Sequence, residues 1–170
     1  MALIRLNSRS APAATFGGLL QVKSFENAGK FTFSTNNTYA DITGLDNCSI
    51  TKSNASNLVL IQISIGAWDA NSSNNRRDIR LLRNGVAFGG GTVEGSRRSA
   101  LMNIIAHQHN RPKPVSHTLL DETGTDLTVT YKLQVYHNTG STVLGAANSD
   151  TNDATYVRTP SRIVLMEIAG

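Results

Sequence analysis

The chain of 170 residues has a single cysteine, Cys48, which excludes an internal disulfide framework and a cysteine-based zinc site. It is also poor in charge: 16% of its residues are charged, against roughly 25% in an average soluble domain. Glu occurs four times and Lys five, too few for the Ala, Leu, Glu and Lys composition of a helical bundle. Long apolar runs are missing as well. No stretch approaches the ~20 residues of a membrane span, so no membrane insertion is expected. The opening MALIRLNSRS has a four-residue apolar run where a secretory signal needs about 7–15. The expectation is a product made in a cytoplasm that leaves a cell by lysis or within a particle.

Small polar residues take up the missing charge. Asn, Ser and Thr occupy 49 of 170 positions, and Gly another 14. With 39% hydrophobic residues in clear patterns, the chain is not a charge-rich disordered one. The net charge of +4 is unevenly spread: between Arg76 and Lys113 stand eight basic residues (Arg76, Arg77, Arg80, Arg83, Arg97, Arg98, Arg111, Lys113) and two acids, Asp78 and Glu94. Such a stretch can face an acidic glycan, phosphate or an acidic protein, and can equally be a solvated basic face.

Residues 1–17 have no pattern that could build a core, and their scattered apolar groups (Leu3, Ile4, Leu6, Phe16) suit an arm that clasps a neighbouring chain. From residue 18 onward, period-2 alternation predicts strands. The strongest runs from Asn57 to Trp68, with Val59, Ile61, Ile63 and Ile65 on one face and Gln62 and Ser64 on the other. A polar loop is expected over Asp69–Asn75, then a strand at Ile79–Arg83. Asn84-Gly85 suits the two positive φ angles of a type I′ hairpin. Further strands are expected over Ser99–His109, Val115–Leu120, Leu127–His137 (Leu127, Val129, Tyr131, Leu133 and Val135 inward), Ser141–Leu144, Ala154–Val157 and Arg162–Ala169. Nine or ten short strands without a helix predict an all-β sandwich or barrel.

Few residues suggest chemistry. His107 and His109 share one face of a strand and could contribute to a metal site in an oligomer; two nitrogens alone are incomplete, and a hydrogen-bonded strand end before Pro112 is the plainer reading, so no metal is favoured and no cofactor is expected. The oxygen-rich loop Asn148, Asp150, Asn152, Asp153 lacks the later Glu of an EF-hand and is taken as Asx turns. Gly89-Gly90-Gly91 lacks the Lys-Ser/Thr pair and helix of a phosphate loop. Cys48 suits a small buried position. No nucleophile, base and acid stand in a recognisable setting, so no enzyme is expected. Trp68 followed by Asn71, Asn74, Arg76 and Arg77 offers a flat apolar ring beside amides and cations, the ingredients of a sugar contact. The same residues also describe an ordinary strand end with the ring half buried.

The run DIRLLRNGVAFGGG (78–91), then TYKLQVYHNTGSTVL (130–144) and the closing SRIVLMEIAG (161–170) resemble short virion surface proteins of tailed bacteriophages, especially cyanophages. The layout is also similar to the tumour-necrosis-factor-like jelly roll of trimeric extracellular heads. The resemblance implies an all-β jelly-roll β-sandwich over residues 18–170, trimeric, with the last strand near the threefold axis. That strand is apolar on both faces: Val164, Met166 and Ile168 on one, Ile163 and Leu165 on the other. One face packs the core, and the other needs a cover. Ile163 and Leu165 are expected at the trimer interface; the alternative cover is the arm of the same chain.

These readings predict a structural protein on the virion exterior. The first form is a trimeric fibre head, or receptor-binding protein, whose loops touch host surface polysaccharide, with Trp68, Asn71, Asn74, Arg76 and Arg77 as contacts. The alternative is a capsid decoration protein held to other virion proteins by residues 1–17. Nucleic acid is the less favoured partner of the basic stretch, and the missing signal argues against a host-secreted trimeric domain.

Overall fold

The computed structural model describes residues 18–70, 75–106, 113–122, 124–147, 149–152, 154 and 156–170. Twelve strands and no helix appear among them: β1 (Leu19–Asn27), β2 (Phe31–Phe33), β3 (Thr38–Asp41), β4 (Cys48–Thr51), β5 (Leu58–Ala70), β6 (Asn75–Arg83), β7 (Val86–Phe88), β8 (Met102–Ala106), β9 (Lys113–Asp121), β10 (Thr128–His137), β11 (Thr142–Leu144) and β12 (Ser161–Ile168). They form two antiparallel sheets. Sheet A runs β1-β12-β5-β9, with β11 and β2 continuing beyond β12 along β5; in sheet B, β10 lies between β6 and the pair β3 and β4, and β6 also carries β7 and β8. The chain changes sheet at β2 to β3, β4 to β5, β5 to β6, β8 to β9, β9 to β10 and β10 to β11. Antiparallel sheets linked by such crossings make a jelly roll, the fold class expected from the sequence.

The core lies where the inner faces meet. Ile61, Ile63 and Ile65 of β5 and Ile163 and Leu165 of β12 pack toward Ile79 and Leu81 of β6 and Tyr131, Leu133 and Val135 of β10, all fully or almost fully buried. β-branched residues dominate because they fit a pleated, half-covered surface. Leu127, expected inward, stands just before β10 and is exposed, and the expected strand at Ala154–Val157 does not form among the described residues. The Asn84-Gly85 hairpin forms with φ of 48° and 85°, joining β6 to β7. The expected arm, residues 1–17, lies outside the described residues.

Asp69, Ala70 and Asn75, expected in a polar loop, lie in strands: β5 continues to Ala70 and β6 begins at Asn75. A bulge makes this possible. Ile65 pairs with Val115 and Trp68 with Lys113, so β5 spends one residue more than β9. Gly66 sits in the bulge; a Cβ there would lie 2.7 Å from the Thr159 side chain.

Candidate functional site: two contrasting outer faces

Each sheet has one face turned away from the core, and cross-strand pairing aligns its side chains in rows. On sheet A one row reads Val22, Met166, Leu60, Leu120 across β1, β12, β5 and β9. Ile168 pairs with both Leu19 and Leu58 beside it. Val22 is 53% exposed and Leu120 39%, while Met166 and Leu60 are half-buried. Toward the other end the rows turn polar: Ser24, Val164, Gln62, Thr118, then Glu26, Arg162, Ser64, Ser116. The apolar end is anchored from the inner side by Glu167. This nearly inaccessible carboxylate accepts hydrogen bonds from the Ser53 backbone N–H (2.6 Å) and hydroxyl (2.8 Å), Asn57 Nδ2 (2.6 Å) and Gln21 Nε2 (2.5 Å). Burial alone would raise its pKa; these donors outweigh burial and hold it at about 2.

The outer face of sheet B obeys the same pairing with opposite chemistry. Its central row is Tyr39, Tyr136, Asp78, Asn103, and the next is Asp41, Gln134, Arg80. The tyrosine rings lie 5.2 Å apart, and guanidiniums cover them: Arg80 over Tyr39 and Arg98 over Tyr136, each at 3.7 Å from the centroid. Arg98 donates to Asp78 Oδ2 from Nε (2.9 Å) and Nη2 (2.7 Å), and Asn103 donates to Asp78 Oδ1. Arg80 Nε donates to Gln134 (2.8 Å), and Gln134 and Lys132 both donate to Asp41. Burial pushes the Tyr39 phenol up, reinforced by Asp78.

Beside this network the segment 89–101 folds back over β6 and β8 and leaves an open cleft of about 840 Å³. Arg76, Arg97 and Arg98 line it together with Thr92, Ser96 and Asn103. Arg98 is engaged by Asp78, and Arg97 lies 3.6 Å from Glu94. Arg76 is exposed and has no carboxylate within salt-bridge distance among the described residues. The cleft thus presents one unpaired cation, one cation held rigid by a ring and a carboxylate, and several neutral donors.

Of the residues expected to bind sugar, the described ones, Trp68, Arg76 and Arg77, do not come together. Trp68 is 1% exposed, in the sandwich core. Its ring cannot stack on a ligand, because the bulge after Ile65 reverses the strand's alternation and turns the indole inward. Arg77 is fully buried: it shares the inward phase of Ile79, donates from Nε to Thr142 Oγ1 (3.1 Å) and from Nη2 to the Ser141 carbonyl (3.2 Å), and lies near Asp69. Close by, burial and then the Arg77 charge push the His137 pKa down. Arg76, one residue away, points outward into the cleft. Asn71 and Asn74, like His107 and His109, lie outside the described residues. Ile163 and Leu165 are also corrected: both are fully buried in their own chain's core, and the outer face of this strand presents Val164 and Met166 instead. Cys48 is buried and free, its thiol pushed up to about 12 by burial and then by Asp46. Asp150 of the oxygen-rich loop is engaged by Arg158 at 2.9 Å. Sequence reasoning missed Tyr39, Tyr136 and Asn103; the excess of Arg over residues 76–113 was the one signal pointing to this region.

Strand order and crossings define an all-β jelly-roll sandwich with one apolar and one cationic, aromatic outer face. Among solved structures the chain is similar to the Eiger TNF from S. frugiperda, with 16% sequence identity, 87% of this chain and 93% of that chain covered, and a TM-score of 0.33. No family model matches the chain, and no curated protein matches it.

Proposed function

We propose that this chain is a structural and recognition protein on the exterior of a tailed-phage virion, a homotrimeric fibre head that contacts host surface polysaccharide. The observation that carries the reading is the apolar row Val22, Met166, Leu60, Leu120 on the outer face of sheet A. Four aligned apolar side chains on a solvent-facing sheet lose free energy in water at roughly 25 cal/mol per Å². A second copy offers the same patch, and closed symmetry buries it on every subunit. Sheet B's outer face then remains outward, and its polar network suits recognition. The segments that resemble phage virion proteins supply β6, β7, β10, β11 and β12. Three copies of a weak sugar site gain avidity without new contacts.

Mass photometry at micromolar concentration is expected to give a particle three times the 18.3 kDa chain mass; a stable monomer overturns the trimer. Purified protein is expected to compete with phage adsorption to host cells, and absence of competition at saturation rejects the receptor role. Several hundred copies per particle would place the chain on the capsid as a decoration protein instead of on the tail.

A further inference from the structure

We infer that the cleft beside Tyr136 binds an acidic saccharide, one that carries isolated carboxylate or sulfate groups among neutral hydroxyls. The inference rests on the recognition role proposed above and names its ligand class and site. The charge inventory of the cleft decides the class. Of its three arginines, Arg98 already donates to Asp78, and Arg97 lies beside Glu94. Arg76 alone has no carboxylate within salt-bridge distance among the described residues. A phosphate at every residue of a ligand would meet two carboxylates as well as three cations, which disfavours a nucleic acid. One anionic group per sugar or disaccharide matches one free guanidinium, and Arg donates to a carboxylate or sulfate through a planar fork.

Preorganisation supports the site. Arg98 is stacked 3.7 Å over Tyr136 and held by Asp78, so little of its rotamer freedom remains to be lost on binding. Asp78 accepts from both Arg98 and Asn103, which fixes the cleft floor on β6 and β8. Thr92 and Ser96 also line the cleft, and a hydroxyl can serve sugar hydroxyls as donor or acceptor. The volume of about 840 Å³ accommodates one or two sugar rings.

The experiment is titration calorimetry of the full chain with polygalacturonate, chondroitin sulfate, neutral dextran and a single-stranded oligothymidylate, for the wild type, Arg76→Ala and Arg98→Lys. Expected is binding to one or both acidic saccharides, weakened about tenfold or more by Arg76→Ala and severalfold by Arg98→Lys, which keeps the charge but loses the stacked fork. Affinity should fall only shallowly with salt, as for one or two ionic contacts. Dextran binding as tight as that of the acidic polymers, unmoved by Arg76→Ala, overturns this inference and leaves saccharide recognition standing. No saccharide bound at millimolar concentration overturns both. Tighter binding of the oligothymidylate with a steep salt slope overturns it in favour of nucleic acid.

Discussion

The two outer faces of the sandwich are built by the same backbone rule and end with opposite chemistry. On sheet A a row across four strands reads Val22, Met166, Leu60, Leu120; on sheet B it reads Tyr39, Tyr136, Asp78, Asn103. Neither face is needed for the core, which both sheets supply from their inner sides. A sheet face free of core duty can be chosen for what lies beyond it. The apolar face is the one that the proposed trimer would cover. The charged one, with Tyr136 and Asp78 buried at its centre, holds its cations in fixed positions. The difference teaches that polarity on the core side of a jelly roll reports folding, while polarity on the outer side reports partners.

The sharpest way to break the contrast is to give sheet A the polarity of sheet B. Met166→Asp, at the centre of the apolar row, is expected to weaken self-association by more than a hundredfold and to leave a folded monomer, read by sedimentation and circular dichroism. Next in size is Glu167→Gln. A glutamine would turn an NH₂ group toward a donor that the carboxylate now accepts from, and a loss of about 2–3 kcal/mol is expected in urea unfolding. The sign with pH follows from its depressed pKa. The stabilisation is fully present above about 4.5 and is lost as pH falls toward about 2. The wild type should therefore lose stability through that acid window, and the variant should show a flatter profile.

On sheet B the effects are smaller. Arg98→Ala removes the cation from Asp78, whose side chain is 6% exposed, but Arg98 itself is 38% exposed, so solvent screens much of the pair. A cost of about 1 kcal/mol is expected. Arg76→Ala should change stability by less than about 0.5 kcal/mol, because the side chain is exposed. A large destabilisation by Arg76→Ala would show that sheet B's outer face serves folding after all and would erase the contrast.

Much of the fold was legible because alternation is a local property. The inward set Val59, Ile61, Ile63, Ile65 could be read directly and is buried throughout; of the set Leu127, Val129, Tyr131, Leu133, Val135 all but the exposed Leu127 are buried. The Asn84-Gly85 turn was legible because few other residue pairs tolerate two positive φ angles. The site was less so. Trp68 looked like a strand-end ring, but one extra residue in β5 reversed the phase behind it. Arg76 and Arg77 looked alike as neighbours, yet the alternation through Ile79 puts them on opposite sides of the sheet. For the last strand, the sequence revealed two apolar faces and not which one meets the core.

Composition and periodicity by themselves determined an all-β chain without disulfides, its main strands, its tightest turn and the place of its excess arginine. Those features depend on neighbours within a few residues, where sterics and alternation act. Only the tertiary structure decided which face of β12 is buried, where the bulge shifts the phase of β5, and that Tyr39, Tyr136, Asp78, Arg98 and Asn103 meet on one surface. Those facts depend on register between strands distant in the chain, and register is settled by how the two inner faces pack together.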